Sequence, residues 1–249
     1  MNDAQTIQRC LDEHHITEVE CLIPDMTGLA RGKIVPRHNY NAAEWLRLPE
    51  AVLMMTVTGD YPEQDFTAPA DPDMRLIPDA GTLRPVPWAK EPTAQIIHDC
   101  VNFDGTPAAL SPRNVLKRIL KLYEQQGWKP IVAPEMEFYL VQLEPDEDMP
   151  LKPPVGRTRR TEAGMQSFSI DAVNEYDDIF DVMYDWCQAQ GLALDTLIHE
   201  MGTAQMEINL DHGDPLALAD QVFLFKRTVR EVAIRNNMYA TFMAKPMQG

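Results

Sequence analysis

Basic side chains are in short supply. Twenty-two lysines and arginines stand against 38 aspartates and glutamates, giving a formal net charge of −16. Phosphate backbones are held by clustered Lys and Arg, so this balance argues against a nucleic-acid partner. Cysteine is scarce as well. Cys10, Cys21, Cys100 and Cys187 are widely scattered, with no C-x-x-C pair and no histidine at zinc-finger spacing. A disulfide framework and a structural zinc are both disfavoured, which leaves four reduced, mostly buried thiols. No stretch reaches the roughly 20 apolar residues of a membrane span, and the start, Met1-Asn2-Asp3-Ala4-Gln5, lacks the basic and then apolar run of a signal peptide. The reading is a cytoplasmic protein with no membrane partner. Internal repeats, low-complexity tracts, and Ser-His-Asp or Cys-His constellations are also missing. Gly32-Lys33 lacks the spaced glycine and the Ser/Thr of a phosphate-binding loop, so it reads as part of a hairpin strand.

What is present is a chain of 249 residues, 45% hydrophobic and 24% charged, enough for one large domain or two unequal ones. Ile7, Cys10, Leu11 and His14 fall at helical spacing over residues 5–14. Glu18–Ile23 and Arg31–Pro36 flank the turn-rich Asp25-Met26-Thr27-Gly28 and predict a hairpin. Between Tyr61 and Pro92 prolines are dense and periodicity is poor, so residues 1–105 are taken as a small α+β domain closing in loops. From 106 the pattern sharpens. Ser111-Pro112 is an N-cap followed by proline at the first helical position, Val115, Ile119 and Tyr123 share a stripe, and Gly127 is the stop. Residues 131–142 read as a strand, 144–168 as a long charged and proline-rich loop of the kind that covers sites, and 175–190 as a helix. Two short strands follow, Leu192–Glu200 and Gln205–Leu210. A helix then runs from the Asp214-Pro215 cap with Leu218, Val222, Phe225, Val229 and Val232 as its stripe, and a last strand spans Tyr239–Ala244.

The chemistry lies in the strands. Side chains alternate along a strand, so Ala133, Glu135, Glu137 and Tyr139 share one face and Val132, Met136, Phe138 and Leu140 the other. Two carboxylates about 6.5–7 Å apart on one face repel and resist burial unless a cation or a shifted pKa compensates. E-x-E alone is a weak signal, since a solvated sheet face looks the same. Gln205, Glu207 and Asn209 repeat the design, and in a hairpin Glu200 comes within diagonal reach of Glu207. Four glutamates on one face make a hard, all-oxygen site that favours Mg²⁺ or Mn²⁺ over zinc. Arg157, Arg159 and Arg160 form a basic cluster, read as a solvated loop ahead of a phosphate contact, and His199 reads as a strand-end hydrogen-bonder.

Three ordered segments carry a resemblance: Pro134-Glu135-Met136-Glu137-Phe138-Tyr139-Leu140, His199-Glu200-Met201-Gly202-Thr203-Ala204-Gln205-Met206-Glu207-Ile208-Asn209, and Ala240-Thr241-Phe242-Met243-Ala244-Lys245-Pro246. In order and spacing they resemble the core motifs of the glutamine synthetase family. Asp25-Met26-Thr27-Gly28 with Arg31-Gly32-Lys33, Asp73–Asp79 and Ser111–Leu116 extend the likeness over nearly the whole chain. The resemblance implies a β-grasp domain over 1–105, then the first part of an α/β catalytic domain over 106–249 (an antiparallel sheet with helices), in a ring-type dodecamer. It also implies an ATP-dependent ligase in which Glu137, Glu200 and Glu207 hold one divalent ion and Glu135 helps hold a second. Those ions would neutralise charge as the γ-phosphate of ATP passes to glutamate, giving an acyl phosphate that an amine attacks.

Two departures qualify that picture. The family's nucleotide signature continues past Lys-Pro, whereas here only Lys245-Pro246-Met247-Gln248-Gly249 is present, so the chain resembles an N-terminal half, and this fragment by itself is expected to be inactive. Ammonia-using members also carry Phe-Asp-Gly-Ser-Ser where this chain has Met55-Thr56-Val57-Thr58-Gly59-Asp60-Tyr61-Pro62. With ammonia thereby in doubt, the chain resembles the γ-glutamylpolyamine synthetase branch, with Asp60 the candidate to meet the amine. Glutamine synthesis from ammonia, a carboxylate-metal hydrolase and a non-catalytic assembly half are the alternatives.

Overall fold

A computed structural model describes residues 2–61, 71–144, 146 and 148–247. Part of the proline-dense stretch, residues 62–70, and the final Gln248-Gly249 lie outside the described residues. The chain divides into two compact units, Met1–Pro130 and Ile131–Gly249.

In the first unit, α1 (Asp3–Glu13) opens on a capping box. The Gln5 amide donates to the Asn2 side chain at 2.9 Å and the Asn2 amide to the Gln5 side chain at 3.2 Å. Its Ile7 and Leu11 are buried with Val19, Cys21, Ala94 and Ile96. The hairpin of β1 (Glu18–Pro24) and β2 (Ala30–Pro36) is antiparallel. Gly32 is required there, because a Cβ would lie 1.8 Å from the Cys21 carbonyl oxygen. Three further strands complete the sheet: β3 (Leu46–Pro49), β4 (Asp73–Pro78) and β6 (Thr93–Val101), with the short β5 (Arg84–Pro85) pairing with β6. The order is β2-β1-β6-β4-β3, with β6 parallel to β1 and antiparallel to β4. Residues Thr93 to His98 are all buried, so β6 shows no inside–outside alternation. Burial pushes the thiols of Cys21 and Cys100 up to about 12, as structural cysteines require.

Helix α2 (Pro112–Gln125) also belongs to this unit. Its cap differs from expectation. The Ser111 side chain makes no helix-capping bond and meets the Cys100 thiol instead. The buried side chains of α2 are Arg113 and Asn114, while Val115, Ile119, Leu122 and Tyr123 are exposed. The helix is therefore anchored by polar contacts. Arg113 binds Asp79 at 2.5 Å and also Asp99, Lys117 joins Asp99, and Asn114 donates to the carbonyls of Cys100 and Ala108 at 2.7 and 3.0 Å.

The second unit carries an antiparallel sheet ordered β10-β7-β9-β8. Strand β7 covers Glu135–Gln142, β8 Leu194–His199, β9 Gln205–Leu210 and β10 Met238–Thr241. β7 starts four residues later than the sequence suggests. Pro134 cannot donate to a ladder, and Val132 makes an isolated bridge to Gly213 instead. Helices α3 (Ile170–Val173), α4 (Asp177–Ala189) and α5 (Pro215–Arg235) precede or follow these strands, and Asp214 caps α5 by accepting from the Leu216 and Ala217 amides at 3.0 Å each. Phe138 of β7 meets Phe225 of α5 edge-on with ring centroids 6.4 Å apart. Phe138, Leu140, Met206 and Ile208 are fully buried, each contributing about 1.5–3 kcal/mol on this apolar face. The opposite face is left to Glu135, Glu137 and Tyr139. Among the described residues no helix is long and apolar enough to cross a membrane.

Candidate active site on the carboxylate face

Strands β7 and β9 pair so that Glu137 stands directly opposite Glu207, Glu135 opposite Asn209, and Tyr139 opposite Gln205. Directly opposed side chains have Cβ atoms about 4.5–5.5 Å apart, so two carboxylates face one another across the ladder. Glu200 follows the end of β8, and its amide donates to the Gln205 carbonyl at 2.8 Å, which brings it to the head of the same hairpin. Burial, reinforced by the charges of Glu200, Glu135 and Glu137, pushes the Glu207 carboxyl above its ordinary range despite a hydrogen bond with Asn209. Burial and the charges of Glu137 and Glu200 raise the Tyr139 phenol likewise. The four carboxylates are thus electrostatically coupled. Among the described residues none of them forms an ion pair with Lys, Arg or His.

Hydrogen bonds fix this face. Gln205 Nε2 donates to Glu137 Oε2 at 2.7 Å, and Gln205 Oε1 accepts from the Tyr139 hydroxyl at 2.9 Å and from the Gly202 amide at 2.7 Å. Gly202 has no room for a side chain, since a Cβ would lie 2.5 Å from the Tyr139 hydroxyl oxygen. A cavity of about 970 Å³ opens beside it, lined by Glu137, Tyr139, Glu162, Gln205 and Lys245 among others. Ligand pockets commonly have this size. Among the described residues no three ligating side chains already converge on one point. The donor set itself is all carboxylate oxygen, its charge met by the carboxamides of Gln205 and Asn209, a chemistry suited to Mg²⁺ or Mn²⁺.

Two residues outside the quartet hold the turn. His199 is fully buried; it donates from Nε2 to Glu162 Oε2 at 3.0 Å and from Nδ1 to the Glu200 carbonyl at 2.7 Å. Both partners are acceptors, so the ring satisfies both only when doubly protonated. Burial works against that charge, but the bonds to Glu162 and Glu200 outweigh it and raise the His199 pKa. Glu162 had no sequence signal, because it sits in an aperiodic loop. The neighbouring arginines are exposed, and Arg157 pairs with Glu175 at 3.9 Å. Asp60 belongs to the first unit, where it is exposed and accepts from the Thr58 hydroxyl at 2.8 Å.

Residues 109–249 match the family described as glutamine synthetase, catalytic domain. The chain belongs to the glutamine synthetase family. It is 33% identical to gamma-glutamylputrescine synthetase PuuA of Escherichia coli (strain K12), an alignment covering 98% of this chain and 53% of that protein. It is 30% identical to a glutamate–isopropylamine ligase of Pseudomonas sp over 95% of this chain and 52% of that protein. Identity to a glutamine synthetase of Pyrococcus horikoshii is 30%, over 93% and 47%. Among solved structures, GmaS without ligand superimposes with a TM-score of 0.81 at 26% identity, covering 97% of this chain and 53% of that one. The chain spans about half the length of these family members.

Proposed function

We propose that the protein to which this chain belongs joins the γ-carboxylate of glutamate to a primary amine, using ATP and Mg²⁺ or Mn²⁺ and passing through a γ-glutamyl phosphate. The observation that carries the reading is the pairing of Glu137 with Glu207 on a face shared with Glu135 and Glu200 and bordered by a cavity that Lys245 lines. Membership of a family of glutamate–amine ligases supports the reaction class. Glu137, Glu200 and Glu207 would hold one ion and Glu135 part of the site for a second. Bound there, the ions would supply positive charge where the transferring phosphoryl group gathers negative charge. Gln205 orients Glu137 and relieves part of its charge, Tyr139 keeps the Gln205 carboxamide from rotating, and Lys245 brings a cation to the cavity wall.

For the acceptor, we take an aliphatic amine or polyamine. The turn Thr58-Gly59-Asp60-Tyr61 stands where ammonia-using members carry Asp-Gly-Ser-Ser, and Asp60 is the proposed contact for the ammonium group. A carbon tail adds apolar burial of about 0.8 kcal/mol per CH₂, enough to prefer such an amine over ammonia several-fold per methylene. The first unit as a β-grasp domain, a ring-type dodecamer and a cytoplasmic location complete the proposal, and residues 1–249 alone are proposed not to turn over. Glutamine synthesis from ammonia is the second reading, favoured by the likeness to a glutamine synthetase. The test is glutamate-dependent ADP release by the full-length protein with ammonia, ethylamine, putrescine and spermidine. The expected result is a higher kcat/KM for the alkylamines and loss of activity in Glu137→Ala. The highest kcat/KM with ammonia would replace the first reading by the second.

A further inference from the structure

We propose that Glu162 is a positioning residue for the carboxylate face: from the long loop before α3 it clasps both ends of the turn that carries Glu200. The proposal rests on the metal-site reading for its purpose, but the geometry stands without it. One oxygen of Glu162, Oε2, accepts from His199 Nε2 at 3.0 Å on the strand entering the turn and from the amide of Ala204, the last residue of the turn, at 2.9 Å. His199 passes the restraint on, its other ring nitrogen donating to the carbonyl of Glu200 itself at 2.7 Å. The contact is shielded from bulk solvent: His199 is fully buried and the Glu162 side chain is 11% exposed.

The turn needs such a clasp. Ala204 has φ +52°, a left-handed conformation that alanine rarely adopts, and its amide is held there by Glu162. The Gln205 amide closes the turn on the Gly202 carbonyl at 3.0 Å, and the Leu140 amide ties the turn to β7 through the Ala204 carbonyl at 3.0 Å. The Glu200 amide is held by the Gln205 carbonyl at 2.8 Å, and the Glu200 carbonyl is held by His199. The loop is stitched to His199 a second time, by the Phe168 amide donating to its carbonyl at 2.9 Å. Placement of Glu200 and order of the loop are therefore one event. Glu162 acts through His199 and the backbone. The carboxylates it serves are Glu200 directly, and Glu137 by way of Gln205, whose backbone closes the same turn.

The test uses two readouts on the purified protein. Hydrogen exchange in the absence of metal should show the Ala204 amide exchanging about 10-fold faster in Glu162→Ala, the worth of one hydrogen bond. The β7 amides should be unchanged, and protection should be largely retained in Glu162→Gln, which keeps an oxygen acceptor. Unchanged exchange in Glu162→Ala would overturn the proposal. Glu162→Met fills the same volume without an acceptor and replaces the alanine variant if that one fails to fold. Mn²⁺ affinity, read by electron paramagnetic resonance, should fall about 10- to 100-fold in Glu162→Ala, as for other residues that orient ligands. It should fall no further when Glu162→Ala is added to Glu200→Ala. Additive losses would show that Glu162 acts elsewhere. Absence of Mn²⁺ binding by the wild type would sink the metal reading, and the exchange result would still decide whether Glu162 holds the turn.

Discussion

In the first unit, Asp25 is 1% exposed and is met by Arg31 at 2.8 Å, while Arg113, itself buried, binds both Asp79 and Asp99. In the second unit, Glu207 is 8% exposed and stands opposite another glutamate, with Glu135 and Glu200 adding to the same field. Both units bury charge, and in the second His199 answers Glu162, but among the described residues the Glu207 face pairs with no cationic side chain. Uncompensated burial raises the free energy of the fold. A protein keeps such an arrangement where compensation comes from outside, and that contrast is the physical argument for a cation site on β7 and β9.

Removing a charge should therefore act with opposite sign in the two units. Arg113→Ala leaves Asp79 and Asp99 without their shared partner and should lower unfolding free energy by about 3–5 kcal/mol in urea titrations; a loss below 1 kcal/mol would mean that the first unit is not held by its ion pairs. The next largest effect is on pH. His98 is buried in β6, and desolvation depresses its pKa from 6.5 to about 4. Because the unfolded chain takes up the proton first, stability is full above pH 6.5 and is lost as pH falls toward 4, by about 3 kcal/mol in total. His98→Gln should flatten that limb in acid-unfolding curves, and an unchanged limb would assign the sensitivity elsewhere.

Smaller effects belong to the second unit. Gly202→Ala forces the Tyr139 hydroxyl and Gln205 carboxamide to move and should cost about 1–3 kcal/mol. It should also free Glu137, visible as weakened Mn²⁺ binding. Glu207→Gln should stabilise the metal-free protein by up to about 1 kcal/mol, because like charges directly opposed across a ladder are unfavourable. A melting temperature that falls in Glu207→Gln would break the comparison, since it would show Glu207 already compensated from within.

The legibility of the sequence follows the same division. Alternation along Glu135–Tyr139 and Gln205–Asn209 survives because one face packs on α5 and the other bears carboxylates, so a period of two is written into the residues. Strand β6 is buried from Thr93 to His98, and a strand covered on both faces has no such period; β3 and β4 are short and bounded by prolines. For α2 the apolar stripe was visible, but its inward contacts are made by Arg113 and Asn114, which read as surface residues. Ser111 has a cap's identity and position, yet its hydroxyl goes to Cys100. Glu162 reaches His199 across 37 residues of chain, a pairing that only the fold creates.

The central claim is that the carboxylate face takes its missing positive charge from a divalent ion, and the most direct measurement is thermal unfolding of the wild type and Glu137→Ala with and without Mn²⁺ or Mg²⁺. At 100 times the dissociation constant a bound ion adds about 2.7 kcal/mol, so the wild type should show a clear rise in Tm and Glu137→Ala little or none. Equal shifts in the two proteins would contradict the account.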